Sequence, residues 1–384
     1  MEHVTEVSLI ERILNLDRER KREEAAGEHR EPVAGYLDPA RHEVEISALF
    51  RRHPLVLGQG AELAAPGSFV THDLTGLPIL LLRDGQGRFR AFLNVCRHRG
   101  ARIETEPCGA GRRGFVCPYH GWRYGLNGAV TIGDAKGFAG LDPTAHGLVE
   151  LPSAEAYGLL WVRPAIPAAG ESLTLDIAGY LGPLAEDFAA WGLEATHPDF
   201  LTHLPEAIDW KVMVDTFLED YHFRFVHGKS VHRLYLDDRT VYDRFGPHIR
   251  YVIPKRSIRD LADTDPASWR LRDHSNVLYL LFPNTVLVFV GDHAAIFAMF
   301  PDGPGRSVMR LSFCLDEEPS GESRLYWDKQ IALIKAALAE DFAVARGVQK
   351  NFASGANGHL TFGRYEKGQA YFHQAIAEAL AEAE

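Results

Sequence analysis

Two cysteines and two histidines stand in two tight, mixed pairs, Cys96-Arg-His98 and Cys117-Pro-Tyr-His120. No other feature of the chain restricts its fold as much. Each pair spans one short turn, so its two side chains can face the same small object. Mixed pairs suit a cluster in which one iron takes both thiolates and the other both imidazoles. The interval from His98 to Cys117 leaves room for a β-hairpin between two metal-binding loops. Arg99-Gly100 follows the first pair, Gly121 follows the second, and Pro118 lies inside the second. Glycine and proline permit the sharp turns that bring amide N–H groups towards bridging sulfides, and such amides help to set a cluster's potential.

That ligation describes a Rieske 2Fe-2S centre. A structural zinc site also accepts two Cys and two His, but zinc fingers usually place both cysteines in one pair and both histidines in the other. A Cys96–Cys117 disulfide is a poorer reading, because only four cysteines in 384 residues and no secretory signal point to a reducing compartment. Cys108, inside the expected hairpin, and Cys314, in an apolar stretch, are expected to be ordinary small side chains.

The length predicts two or three domains, each with its own core. A hydrophobic content of 46% and a charged content of 24% are those of a soluble globular protein. No apolar run is long enough to span a bilayer, and the N-terminus reads as a charged amphipathic helix without a cleavage site, so a cytoplasmic protein is expected. The net charge of −11 argues against a nucleic-acid partner and is compatible with a partner protein docking on a local basic patch. Residues 1–43 are expected to form an N-terminal helical segment that packs on the domain of residues 166–384. Residues 44–165 hold short alternating runs such as Pro78–Arg83 and Phe89–Val95, the pattern of a small β domain. Its last strand is Gly158–Arg163, and Pro164, Pro167 and Gly170 mark a linker. Residues 166–384 form a second domain with helical signals to about residue 226, strands from about 240 to 315, a helix from about 325 to 350, and a terminal helix over Gln374–Glu384. Val277–Phe282, Thr285–Val290 and Ala294–Phe300 are expected in one antiparallel sheet.

The second domain carries another candidate group in WKVMVDTFLEDYHFRFVH, residues 210–227. On a continuous helix, Trp210, Val214, Phe217 and Tyr221 form an apolar stripe, while Asp215, Glu219 and His222 gather opposite and Asp220 points away from His222. His227 lies five residues beyond His222, so one metal can take both only if the helix ends or bulges between them. Taken alone, such a pair in a chain with 18 histidines is weak evidence for a metal.

The mixed pairs, the stretches NVCRHRGARIE and FVCPYHGWRYGLNG, and the later FLEDYHFRFVH together resemble the α subunits of the Rieske non-haem iron oxygenases, also called aromatic-ring-hydroxylating oxygenases. The resemblance covers most of the chain. It implies an α+β protein, an all-β Rieske domain followed by a helix-grip catalytic domain with an antiparallel sheet and a long C-terminal helix. It implies Cys96, His98, Cys117 and His120 as cluster ligands. It also implies a mononuclear Fe(II) held by His222, His227 and a carboxylate on a late helix, a facial triad that leaves positions open for oxygen. In IALIKAALAEDFAVARGVQ, Ile331, Ile334, Leu338, Phe342 and Ala345 form the inward stripe. Asp341 sits at its edge and Glu340 points to the far side, which favours Asp341 as the third ligand. Family members carry an acidic residue, usually Asp, shortly before the first iron histidine, and it bridges to a Rieske histidine of the neighbouring subunit. By position the bridge here runs from His120 of one subunit through Glu219 to His222 of the next. Glu in place of Asp, with Asp220 beside it, departs from the pattern.

The resemblance implies a terminal oxygenase supplied with electrons from NAD(P)H by a separate reductase, possibly through a ferredoxin, because the chain has no convincing dinucleotide, flavin or plant-type ferredoxin motif. O2 is the co-substrate, a homotrimer is expected, the presence of a β subunit is left open, and the substrate is a small molecule. Mono- or dihydroxylation of an aromatic or other small organic compound, and oxidative N- or O-demethylation of a quaternary ammonium or methoxy compound, use the same iron. The strands around LYLLFPNTVLVFVGDHAAIFAMFP are expected to line the pocket, with His293 among them. Two other classes compete: a Rieske electron-transfer protein that has lost the catalytic iron, and a zinc-stabilised binding protein.

Overall fold

A computed structural model describes residues 1–134 and 136–383. The chain divides into two compact units, Phe50–Tyr180 and Met1–Leu49 with Leu181–Glu384. No helix among the described residues is long and apolar enough to cross a membrane.

The Phe50–Tyr180 unit is built from three small antiparallel sheets. The largest orders its strands Glu150–Leu151, Phe89–Leu93, Ile79–Arg83, Phe69–His72 and Cys108–Gly109. Its central strand reads Ile-Leu-Leu-Leu because all four side chains are buried, the signature of a strand covered on both faces. Phe69, Leu80, Leu82, Phe92, Phe115, Trp122 and Tyr124 pack into one core, and Cys96 and Cys117 belong to the same cluster. The interval between the two metal-binding loops is not a hairpin. Cys108–Gly109 pairs with Phe69–Val70, whereas Gly114–Val116 pairs with Arg123–Gly125 in another sheet. The glycines of CGAGRRG let the chain cross between them. Gly111 has φ +69°, and a Cβ on Gly109 would lie 2.6 Å from the Phe69 ring, so only glycine fits there.

The other unit is a seven-stranded antiparallel sheet ordered His197–Glu206, Ser307–Leu315, His293–Pro301, Thr285–Val290, Ser275–Leu281, His248–Pro254 and Val241–Phe245. It is crossed by the long helix Gly321–Phe352, whose start is capped by Ser320. The α+β class holds, with one correction: the helical reading up to residue 226 misses the strand HPDFLTHLPE. That strand lies at the sheet edge, is only half-buried, and holds two prolines, which edge strands tolerate. The terminal helix spans Lys367–Ala381, about two turns earlier than expected at its start and under one turn earlier at its end; Glu384 lies outside the described residues. The N-terminal helix His3–Glu19 buries Leu9, Ile10, Ile13 and Leu14, and its Arg12 donates to Asp243 Oδ1 (2.7 Å) and the Tyr242 carbonyl (3.0 Å).

A buried ion cluster ties the first fifty residues to the helix that leads to the histidine pair. Lys211 Nζ lies 2.7 Å from Glu45 Oε2 and 3.1 Å from Asp209 Oδ1, and Trp210 Nε1–H donates to the same Glu45 oxygen at 3.2 Å. Burial alone would drive Lys211 towards its neutral form, but Asp209 and Glu45 overcome it and raise the pKa. Removing one partner from such a group strands a charge in the interior. Glu45→Ala is therefore expected to destabilise this unit by about 3–5 kcal/mol, seen as a lowered thermal midpoint by circular dichroism. The double variant Glu45→Ala/Lys211→Met is expected to recover part of that loss.

Candidate metal centres

The two cysteine-containing loops are built alike. In each, the cysteine carbonyl accepts from the amide of the glycine four residues on, Gly100 N to Cys96 O (2.9 Å) and Gly121 N to Cys117 O (3.0 Å). Both glycines are left-handed, with φ +77° and +72°, a conformation costly for other residues. The turns place Cys96 and Cys117 in the core, while His120 is exposed. The His98 and His120 rings stand 4.6 Å apart, and His98 stacks on Trp122 at 5.0 Å. Tyr124, which the sequence did not single out, accepts the Arg97 amide (2.9 Å), leaving its hydroxyl proton for Cys96 Sγ at 3.3 Å. Burial raises the Cys96 pKa, but the Tyr124 contact and the His98 and Arg99 amides outweigh it and lower the value. His98 Nδ1 is buried with no hydrogen-bond partner. Two free buried cysteines, one favoured as thiolate, beside two imidazoles with an orphaned nitrogen are a donor set suited to a 2Fe-2S cluster.

The second centre depends on where a helix stops. The helix Trp210–Phe217 ends although no glycine or proline breaks it. Its freed carbonyls are taken by buried tyrosines: Tyr251 OH donates to Phe217 O (2.8 Å) and Tyr242 OH to Leu218 O (3.1 Å). The next helical turn, Phe223–Val226, begins after His222 and ends before His227. This break satisfies the condition set by the five-residue spacing. It also corrects the single-helix face. Asp215 is drawn away to His373 Nε2 (2.9 Å) and Tyr36 OH (3.1 Å). Glu219 reaches His222 through a turn instead, accepting the His222 amide at 3.0 Å and facing its Nδ1 at 2.5 Å. Asp220 points elsewhere, into a space shared with Thr240, Tyr242 and Asp238.

His222, His227 and Asp341 each offer a ligand atom within 4.8 Å of the others, the sole such group of three among the described residues. Asp341 Oδ1 lies 3.0 Å from His227 Nε2 and 3.4 Å from His222 Nε2, yet it has no hydrogen bond with the alignment of one. Glu340 is the second correction. It does not point to the far side of the long helix; its Oε2 lies 2.7 Å from His227 Nδ1 and accepts the Ser230 hydroxyl at 2.7 Å. Adjacent helical residues diverge by about 100°, but His227 lies at the border between their directions, and the longer Glu side chain reaches round to the other ring nitrogen. The sequence signal was present in the Glu-Asp dipeptide at the edge of an apolar stripe. Both Nδ1 atoms thus face carboxylates, and both Nε2 atoms face a third. Burial alone would lower the His222 pKa, but Asp341 and Glu219 overcome it and raise it to about 10. Burial alone would raise the Asp341 pKa, but the two histidines hold it below its ordinary value. A site that favours positive charge this strongly, lined by two imidazoles and one carboxylate, fits a non-haem Fe(II).

The triad lines a cavity of about 690 Å³ walled by Phe217, Phe223, Leu278, Val288, Ala295 and Phe297, with Lys255, Asn276, Asp292, His293 and Tyr326 among its polar members. His293 is thus a pocket residue, its Nδ1 2.8 Å from Asp292 Oδ1. A smaller cavity of about 260 Å³ reaches His222 and Asp341 from the Glu219 side and includes Glu366 and Phe362.

Comparison with known proteins agrees with both halves of this description. A Rieske [2Fe-2S] domain model matches residues 53–137, and a model of the ring hydroxylating alpha subunit catalytic domain matches residues 193–382. The glycine betaine monooxygenase oxygenase subunit of Chromohalobacter salexigens is 28% identical over 329 residues, covering 76% of this chain and 72% of that protein. The chloroplastic choline monooxygenase of Spinacia oleracea is 26% identical, covering 92% and 78%. Among solved structures, the quaternary ammonium Rieske monooxygenase CntA in complex with L-carnitine superposes with a TM-score of 0.77 at 19% identity, covering 91% of this chain and 95% of that one. Naphthalene 1,2-dioxygenase from Rhodococcus sp. superposes with a TM-score of 0.75 at 18% identity, covering 98% and 99%. Two domain models in the expected order, over two metal-suited donor sets, place the chain in the Rieske non-haem iron oxygenase α-subunit family, as the terminal oxygenase component.

Proposed function

We propose that this terminal oxygenase oxidises a small quaternary ammonium compound at a carbon next to nitrogen. The observation that carries the reading is the triad opening into a cavity with aromatic faces, Phe217, Phe223, Tyr235 and Phe297. Such faces hold a methylammonium cation without a buried counter-ion. Asp292 adds negative charge at the polar end: burial alone would raise its pKa, but His293 and Tyr326 hold it low and keep it ionised. Relatives named for choline and glycine betaine support the same class. Residues Cys96, His98, Cys117 and His120 hold the cluster in this reading, and His222, His227 and Asp341 hold Fe(II). When bound, the cluster supplies single electrons and the iron supplies oxygen activation. The chain's own part is to orient the substrate, exclude bulk water through the apolar wall, and fix the imidazole tautomers. Oxidation of an N-methyl group consumes O2, two electrons and two protons, and the resulting N-hydroxymethyl compound releases formaldehyde. A second reading, ring hydroxylation of an aromatic substrate, is favoured by the apolar wall of Leu278, Val288, Ala295 and Leu338. It is also favoured by 32% identity over 209 residues, half of this chain, to the large oxygenase component of a 2,4-dinitrotoluene dioxygenase system from Burkholderia sp..

Oxygen uptake with a surrogate reductase and NAD(P)H decides between them. Stimulation by glycine betaine, choline or carnitine, with release of an aldehyde and a dealkylated amine and no response to naphthalene or dinitrotoluene, is the expected outcome; the reverse pattern selects the aromatic reading.

The assembly proposed is a homotrimer in which electrons pass from His120 of one subunit through Glu219 to His222 of the next. The exposed His120 and the cavity beside Glu219 support that route. Asp341→Ala is expected to lose mononuclear iron while keeping the Rieske spectrum, measured by iron per chain and EPR. Glu219→Gln is expected to retain both centres and slow single-turnover transfer between them severely; unchanged transfer would remove Glu219 from the route.

A further inference from the structure

The two imidazoles of the triad are held by carboxylates of different origin. Glu219 comes from the loop that carries His222, three residues before it. Glu340 comes from the long helix, 113 residues beyond His227, and is the immediate neighbour of Asp341. Its Oε2 is fixed from two sides, by His227 Nδ1 at 2.7 Å and by the Ser230 hydroxyl at 2.7 Å. Ser230 in turn closes the turn after His227 through its amide, 3.0 Å from the His227 carbonyl. His227 is itself buried, at 2% exposure, and Glu340 is the side chain that covers its Nδ1.

We propose that Glu340 is a positioning residue for the iron site, holding His227 in the tautomer with its proton on Nδ1 and its Nε2 lone pair turned to the metal. A neutral imidazole has one N–H, and whichever nitrogen donates to an outer carboxylate leaves the other as the ligand. The carboxylate also strengthens the ring as a donor. Because Glu340 and Asp341 are consecutive on one helix, a single turn of backbone sets both the third ligand and the orientation of the second imidazole. A shift of the long helix relative to the His222–Ser230 loop would therefore disturb two ligands together. Glu219 cannot take over this task, since it is committed to His222 through both of its oxygens.

The proposal rests on His222, His227 and Asp341 being the iron ligands, and Asp341→Ala serves as the control for that reading. Glu340→Gln and Glu340→Ala are made in the full-length chain with its Rieske cluster. Fe(II) affinity is measured by competition with a chromogenic chelator, and the ferrous site is probed by EPR of its nitric oxide adduct. Fe(II) binding is expected to weaken about 10- to 100-fold in the Ala variant, less in Gln, which can still accept from Nδ1–H. Altered rhombicity of the EPR signal and an unchanged Rieske spectrum are expected in both. Wild-type affinity and an unaltered EPR signal in both Glu340 variants, with iron lost in Asp341→Ala, would overturn the role of Glu340 alone. Iron retained in Asp341→Ala would overturn the ligand reading beneath it. Should Glu340→Ala fail to fold, the Gln variant and Ser230→Ala, which frees the carboxylate to rotate, read the same quantities.

Discussion

Two imidazole nitrogens and a carboxylate oxygen facing one another are the constraint on which the catalytic unit turns. Asp341 Oδ1 stands within 3.4 Å of both Nε2 atoms, an arrangement that repels itself unless a proton or a cation sits at its centre. The surroundings raise the electrostatic demand. Outer carboxylates occupy both Nδ1 positions, so three carboxylates surround the two imidazoles. The site is built for a divalent cation, and its stability and its chemistry are the same problem.

Holding that arrangement requires two chain segments far apart in sequence to stay in register. The loop His222–Ser230 hangs from the end of the helix Trp210–Phe217, whose last carbonyls are claimed by Tyr242 and Tyr251 of two sheet strands. Gly368 completes the stop, since a Cβ there would lie 2.4 Å from the Leu218 carbonyl. The start of the same helix is anchored by the Lys211, Glu45 and Asp209 cluster. Both ends are therefore fixed by buried polar groups whose misplacement costs more than a lost apolar contact. The price in folding stability is balanced by a loop that cannot drift from the long helix.

Those tertiary causes explain what the sequence could and could not reveal. The Rieske loops were legible because their chemistry is local: cysteine, histidine and left-handed glycine within a few residues dictate both turn and ligation. The strands Thr285–Val290 and His293–Pro301 were legible because their apolar runs are continuous. The end of the helix at Phe217 was not, because nothing in VMVDTFLED stops a helix; the stop is imposed by tyrosines more than twenty residues later. Asp215 misled for the same reason, since its partners Tyr36 and His373 arrive from opposite ends of the chain. The strand His197–Glu206 was hidden by its polar edge position, and the supposed hairpin by a glycine run that serves two sheets. Glu340 was discounted because helical periodicity describes where a Cβ starts, and a glutamate ends up to several ångströms from there.

The unequal origin of the two outer carboxylates suggests a division of labour. Glu219 shares a wall with the smaller cavity, together with Glu366, whose own pKa burial and the nearby carboxylates raise. A contact made by a loop residue beside open space can respond to what fills that space. Glu340 belongs to the long helix, where Leu338 and Phe342 are buried on either side of it. One imidazole is thus held by a carboxylate on its own loop, beside the second cavity, and the other by a carboxylate on the long helix. A site that must accept electrons from outside, yet keep its iron through each turnover, needs both kinds of support.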